Sequence, residues 1–306
     1  MTESYAITRY ELAAALLPPK WQRVVRTLPD WQKVQAEELR LRAGHPITVL
    51  LPEGEQWIQG QMQEVTPQDL EQLCDLVTSY SRYAVTDQMA QGYLTAPGGF
   101  RVGICGSAVM QERNCCNIRH ISSISIRIAK ESVGISDKIL PQLVRNNSFC
   151  STVIVASPGS GKTTLLRDLI RNLSNGTADH SACRVSVVDE RGEIAGMYHG
   201  LPQLGVGCHT DILEGAPKVI GIPILLRSAN PQVIAVDEIT AREDLQVMMQ
   251  AANCGVKLLA TIHAADLEEL KRKPLFAKLL GLQVFEKAVI ITSEAGERRY
   301  HVEALL

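Results

Sequence analysis

The run VIVASPGSGKTTLLR, residues 153–167, constrains this chain more than any other stretch. Val153 to Ala156 are apolar or small and read as a buried strand. A glycine-containing turn follows, and Leu165, Leu166, Leu169 and Ile170 then recur at helical spacing. Strand, tight loop and helix in that order form a phosphate-binding loop. Backbone N–H groups and the positive end of the helix surround phosphate oxygens, and glycine stands where a side chain would block close approach. Pro158, Gly159, Ser160, Gly161, Lys162, Thr163 and Thr164 are the expected binding residues. Lys162 is expected to neutralise terminal phosphates and the Thr163 hydroxyl to ligate Mg²⁺. Ala156 stands where the pattern usually has its first glycine, which demands a negative φ there and leaves the later donors untouched. The plain alternative is a chance glycine-rich turn, against which the matching context on both sides argues.

At 306 residues the chain is long for one domain and comfortable for two. With 45% hydrophobic and 21% charged residues it fits a folded globular protein, not a disordered one. A net charge of −2, a pI near 6.4 and no dense Lys/Arg cluster speak against nucleic acid as a partner. The opening MTESYAITRYELAAALLPPK carries acids early and only a short apolar run, unlike a signal peptide or a spanning helix. The longest apolar stretch, residues 219–226, is interrupted by Gly221 and Pro223. The expectation is a cytoplasmic protein with no direct membrane insertion, peripheral to a membrane only through a partner. The eight cysteines include no C-x-x-C pair and read as reduced, mostly buried thiols.

Along the chain, residues 9–28 read as two helices broken at Pro18-Pro19. Residues 39–42 and 47–51 read as strands. Thr66-Pro67 starts a helix that ends near Ser81, through a capping hydroxyl and a proline in the first turn. Residues 93–95 and 100–104 flank the turn Pro97-Gly98-Gly99, and 121–128 alternate as another strand. Residues 1–130 are therefore expected to form a smaller α+β domain with a mixed sheet, followed by a linker at 131–137. In residues 138–306 strands and helices alternate. A short helix at 138–145 leads into the phosphate loop. Strands at 184–188, 233–236 and 256–260 follow, with helices at 244–252 and after Ala264, and a final hairpin turns at Ala295-Gly296. The strand at 184–188 is expected beside the loop strand. Such alternation predicts an α/β domain whose parallel sheet is covered on both faces.

Three further stretches carry chemistry. VIAVDE, residues 233–238, is an apolar run ending in two carboxylates, at the strand end where ligands bind in open α/β sheets. Asp237 is expected to hold Mg²⁺, directly or through water, and Glu238 to orient and activate an attacking water. A solvated strand terminus is the plainer alternative. LLATIHA, residues 258–264, ends in Thr261 and His263, whose side chains point to one side of the strand and could sense a γ-phosphate. A lone strand-end histidine is more often structural. VVDERGE, residues 187–193, offers Glu190 and Glu193 for metal or water, with Glu193 preferred, although acids in polar loops are common.

The order of phosphate loop, DERGE, PQVIAVDEIT and ATIHA resembles the secretion-type hexameric ATPases, relatives of the pilus retraction and type II and type IV secretion motors. The chain is more similar still to the stage III sporulation AA family of endospore-forming bacteria. LRLRAGHPITVL, SYSRYAVTDQMAQGYLTAPGGFRVGICGSAV, ISSISIRIA, VVDERGEIAG and HTDILEGAPK carry that similarity across almost the whole chain. The resemblance implies a RecA-like P-loop ATPase domain behind an N-terminal domain of secretion-ATPase type. It implies a homo-oligomer, a hexameric ring in the mother cell, whose ATP hydrolysis energises a channel complex of membrane-embedded subunits toward the forespore. On the matching positions, Lys162 and Thr163 stand as the Walker A pair and Asp237 and Glu238 as the Walker B pair. His263 stands as the histidine box, and Glu193 as the acidic-box glutamate. Arg127 occupies the place where such motors offer an arginine to a neighbouring nucleotide, with Arg101 and Arg119 competing. Gln232 and Ala156 depart from the pattern.

Other functions use similar parts. A phosphotransferase would need an acceptor pocket or lid, which nothing in the sequence suggests. A nucleotide-gated scaffold would need binding and not turnover, so Lys162 would matter and Glu238 would not.

Overall fold

The computed structural model describes residues 3–305 apart from 61, 79–85, 113, 129, 179 and 295–296. The expected helix end near Ser81 and the turn at Ala295-Gly296 lie outside the described residues. The chain divides into two compact units, Met1–Glu131 with Gly196–Gln203, and Ser132–Ala195 with Leu204–Leu306.

The first unit opens with helices α1 (Glu3–Ala14), α2 (Pro19–Val25) and α3 (Asp30–Gln35), the last of which the sequence pattern had not suggested. Strands β1 (Glu38–Arg42), β2 (Thr48–Leu51) and β3 (Gly54–Trp57) follow. Then come α4 (Pro67–Val77), α5 (Thr86–Ala90), β4 (Tyr93–Ala96), β5 (Phe100–Gln111) and β6 (Asn114–Arg127). The strands make one sheet in the order β3-β2-β1-β6-β5-β4. Every pairing in it is antiparallel, which corrects the mixed sheet expected from sequence. The pairs β1–β2, β2–β3, β4–β5 and β5–β6 are each joined by a short connection, which allows only antiparallel neighbours. Alternation sets the buried face: Leu39 and Leu41 are fully buried, while Arg40 and Arg42 turn outward to Glu38 and Glu55. Tyr10 and Trp21 of the helices, with Leu17 from the turn between them, close the core. The start of α4 follows its sequence: Thr66 Oγ1 accepts from the Asp69 N–H, Asp69 Oδ2 accepts from the Thr66 N–H, and Pro67 fills the first turn.

In the second unit, the segment expected as a linker is tied to the helix of the phosphate loop. The N–H groups of Gly134 and Ser136 donate to Asp168, and the Asn172 side-chain amide donates to Asp137. A single 3₁₀ turn at Leu140–Leu143 stands where a short helix was expected. Strands β7 (Val144–Arg145) and β8 (Ser148–Phe149) precede β9 (Thr152–Ala156), helix α6 (Lys162–Asn175) and β10 (Val185–Asp189). A small hairpin, β11 (Met197–Tyr198) and β12 (Leu201–Pro202), groups with the first unit. Then come β13 (Thr210–Glu214), α7 (Lys218–Ser228), β14 (Val233–Val236), α8 (Arg242–Asn253) and β15 (Lys257–His263). The elements end with α9 (Leu267–Arg272), α10 (Pro274–Gly281), β16 (Lys287–Glu294) and β17 (Glu297–Ala304).

The large sheet has the order β13-β10-β14-β15-β9-β16-β17, parallel except for the last pairing. β10 is thus separated from the loop strand by β14 and β15, and does not lie beside it as expected. Strands β9, β10 and β14 are buried along their whole length, as parallel strands covered on both faces must be. Leu165, Leu166, Leu169, Ile170 and Leu173 of α6 are fully buried, each contributing roughly 1.5–3 kcal/mol by leaving water. Helix α7 was hidden in sequence by Gly221 and Pro223. Gly221 is needed there because a Cβ would lie 2.7 Å from Val188 Cγ1, so the helix can pack closely on β10. Among the described residues, no helix is long and apolar enough to cross a membrane.

Candidate functional site

Parallel alignment brings the carboxyl ends of β9, β14 and β15 to one edge of the sheet, and the candidate site stands there. The chain leaves β9 at Ala156 and turns through Ser157 to Gly161. Gly159 and Gly161 adopt φ of +75° and +91°, in the left-handed region that an L side chain resists. Gly161 is the N-cap of α6, so the first-turn N–H groups point into the loop without helical partners. A Cβ at Gly159 would meet no heavy atom within 4 Å, which leaves the mouth of the loop open. Pro158 and Gly159 are exposed; Ser160, Gly161, Thr163 and Thr164 are half-buried around it. Ala156 ends the strand within the ordinary φ range, as expected of a residue replacing glycine there.

Lys162 is buried at the base of the loop. Its Nζ donates to the carbonyls of Ala156 at 3.0 Å and Ser157 at 2.9 Å, and lies 2.7 Å from His263 Nδ1. Burial holds its ammonium below the ordinary range, with the Asp237 and Glu238 carboxylates acting against that shift. Thr163 Oγ1 donates to Asp237 Oδ2 at 2.7 Å, and Thr261 Oγ1 donates to Asp237 Oδ1 at 2.5 Å. The Thr261 hydroxyl in turn accepts the Glu238 N–H at 2.8 Å. Glu238 has φ of +51°, a strained conformation for a residue with a side chain, held where β14 breaks off. Its Oε1 lies 2.5 Å from His263 Nε2 and its Oε2 accepts from Arg191 Nη1 at 2.8 Å. Lys162, Thr163, Asp237, Glu238 and His263 therefore meet in one hydrogen-bonded cluster.

Glu193 is placed from a different direction. Asp189, buried at the end of β10, accepts the N–H groups of Glu193, Ile194 and Ala195 and folds DERGE into a tight loop. Burial pushes the Asp189 carboxyl up, those N–H groups pull it down, and Asp237 adds to the rise. Arg167 of α6 clamps the same loop by donating to the carbonyls of Ile194 and Glu193. A polar cavity of about 50 Å³ is lined by Asp189, Glu190, Glu193, Lys218, Asp237 and Glu238 among others. Glu193 thus shares a cavity wall with Asp237 and Glu238. Glu190 is engaged by Lys218 at 2.5 Å. Arg127 belongs to the first unit, exposed on β6 and opposite Arg101 of β5, so the two point to one face. Arg119 lies farther along β6, opposite Ser107. Gln232 sits at the other end of the sheet, where its side chain accepts the Arg184 N–H between the starts of β10 and β14, away from the loop.

Sequence reasoning missed Lys218, Arg167 and Arg191. Lys218 is a buried cation at the start of α7, the helix end where a positive charge is disfavoured, and that breach of pattern was a usable signal. Arg167 stands among the apolar positions of α6, a second such signal.

Comparison with known proteins shows which family and which fold the chain resembles. The model of the family described as "Sporulation stage III, protein AA" matches residues 9–301. Stage III sporulation protein AA of Bacillus subtilis (strain 168) is 32% identical over 287 residues, covering 92% of this chain and 91% of that protein. Among solved structures, the Legionella pneumophila ATPase DotB aligns with a TM-score of 0.60 at 16% identity, over 94% of this chain and 80% of its own. The pilus retraction motor PilT with bound ADP aligns with a TM-score of 0.60 at 17% identity, over 88% and 79%. The fold is that of these ATPases, α/β with a RecA-like sheet.

Proposed function

Because the chain belongs to the sporulation stage III protein AA family, we propose that it is an ATP-hydrolysing motor. It energises a secretion-like channel complex between mother cell and forespore during endospore formation. One observation carries the reading: Lys162, Thr163, Asp237, Glu238 and His263 form a single cluster over a phosphate loop. The likeness of fold to DotB and PilT supports an ATPase.

ATP is the proposed nucleotide, cradled by Pro158, Gly159, Ser160, Gly161, Lys162, Thr163 and Thr164. Thr163 and Asp237 would hold Mg²⁺, and their oxygens are the hard donors that this ion prefers. Bound Mg²⁺ would neutralise charge developing on the phosphates. The chain's own groups do the remainder. The open loop N–H groups bind phosphate oxygens, and Lys162 exchanges the Ala156 and Ser157 carbonyls for them. Glu238, released from Arg191 and His263, takes a proton from the attacking water on a carboxylate oxygen. His263 follows the terminal phosphate, Glu193 helps to place the water, and Arg127 is offered to the nucleotide of a neighbouring subunit. That last role makes hydrolysis depend on a hexameric ring, which works in the mother-cell cytoplasm and docks on membrane-embedded subunits.

The test is phosphate release against protein concentration, with Glu238→Gln in parallel and sedimentation in ATP. Activity that rises more than linearly, tracks a large assembly and vanishes in the variant supports the motor. A monomer with full turnover per chain removes the ring. A second reading, a nucleotide-gated scaffold, is favoured by the engagement of both Glu238 oxygens. It requires tight ATP binding without release, and a Glu238→Gln strain that still sporulates.

A further inference from the structure

The residues proposed for hydrolysis all approach the phosphate loop from one side. Asp237 and Glu238 follow β14, and His263 ends β15, the neighbour of β9 in that direction. On the other side of β9 stand β16 and then β17. β16 runs parallel to β9, so the carboxyl end of β16 and the start of β17 reach the same edge of the sheet as the loop. Arg298, opposite Ser293 in the register of that hairpin, extends to the loop itself. A Cβ built on Gly161 would lie 3.0 Å from Arg298 Cζ and Nη1 and 3.3 Å from Nε. The guanidinium therefore lies against the last glycine of the loop, beside the first turn of α6. Arg298 is exposed, and among the described residues it forms no ion pair. An arginine held beside the open N–H groups of a helix start, with no carboxylate partner among the described residues, is suited to an anion.

The geometry points to Arg298 as a nucleotide-binding residue of the same chain, which clasps the α-phosphate of the bound nucleoside di- or triphosphate. The inference rests on the nucleotide reading of the loop. Its direction follows from the strand order. With the terminal phosphate toward Asp237, Glu238 and His263, the rest of the nucleotide extends across the loop toward β16 and β17. Arg298 then meets the part that ATP and ADP share, and inorganic pyrophosphate lacks the group that it would hold. This sets it apart from Arg127, which is proposed to act on a neighbour's nucleotide. It also gives Gly161 a second reason to be glycine, since a side chain there would displace the guanidinium as well as oppose the φ of +91°.

The experiment is equilibrium binding of ATP, ADP and inorganic pyrophosphate to the full chain, to Arg298→Ala and to Arg298→Lys, with circular dichroism of each. Arg298→Ala is expected to bind ATP and ADP each roughly tenfold more weakly, the loss of one charge-assisted bond, with pyrophosphate unchanged. Arg298→Lys recovers part of the loss, and in turnover KM rises while kcat holds. Equal nucleotide affinity in Arg298→Ala and the unaltered chain overturns the inference and leaves the nucleotide site standing. A loss confined to ATP overturns it in favour of a terminal-phosphate role. Absence of ATP and ADP binding by the unaltered chain removes the nucleotide reading, and this inference with it.

Discussion

Lys162 Nζ and His263 Nδ1 lie 2.7 Å apart, and that contact fixes the tautomer of the histidine. An ammonium only donates, so Nδ1 accepts and the ring proton sits on Nε2, from which it donates to Glu238 Oε1. The Lys162 N–H groups have three acceptors here, two carbonyls and one imidazole. A neutral His263 thereby couples the proposed phosphate-binding cation to the proposed base. His263→Ala is expected to lower phosphate release roughly 100-fold, because the proposed base Glu238 loses the ring that orients it, with ADP binding retained. Single-turnover phosphate release beside ADP titration checks both halves.

Glu238→Gln should leave ATP bound and stop its turnover. The amide keeps the shape of the carboxylate but cannot take a proton from water, so phosphate release is expected to fall roughly 10²–10⁴-fold. Nucleotide binding and phosphate release, measured on one preparation, report the separation.

Glu214, at the end of β13, is pushed up to about 7 by burial and by the neighbouring Asp189 carboxylate. The sign of the linkage follows from that rise. Between the unfolded value near 4.5 and about 7 the folded protein holds the extra proton, so stability falls as pH rises through that window and levels off above it. Glu214→Gln is expected to raise the midpoint of thermal unfolding at pH 8 by about 2–4 °C, with the gain vanishing near pH 4.5. Melting curves of both proteins across that pH range test it.

Arg167→Met removes both donors from the Glu193 and Ile194 carbonyls while keeping the length of the buried side chain. Leaving those carbonyls unpaired is expected to cost about 1–3 kcal/mol, read as a lower urea midpoint. Because the same bonds hold the DERGE loop, Glu193 should loosen too. Faster amide exchange at residues 193–195 is the second readout.

The site was legible where chemistry and local structure coincide. Lys162, Thr163, Asp237 and Glu238 sit at junctions whose strand, turn and helix are written in adjacent residues, so their meeting at one edge of the sheet could be inferred. Thr261 and His263 were likewise marked by the alternation of a short buried strand. What escaped notice depended on distant parts of the chain. β10 could not be assigned its neighbours, because strand order within a parallel sheet is set by packing across long connections. α7 was obscured because Gly221 and Pro223 are helix breakers by propensity, whereas the close approach to Val188 makes glycine the residue that fits. Arg298, in a stretch of alternating polar residues at the other end of the unit, had no local sign of its proximity to Gly161.

The position of β9 within its sheet has a consequence for how the protein is made. β9 is flanked by β15 and β16, and Ser151, immediately before it, bonds to Leu258 and Glu286, 107 and 135 residues later. A growing chain that has already exposed the phosphate loop to the cytosol still lacks both neighbours of the strand that supports it. Such long-range pairing is slow to form, because the intervening chain must be ordered first. β9 is therefore among the last strands to be secured as the chain leaves the ribosome, and its apolar residues depend on late synthesis or on a chaperone for cover until then.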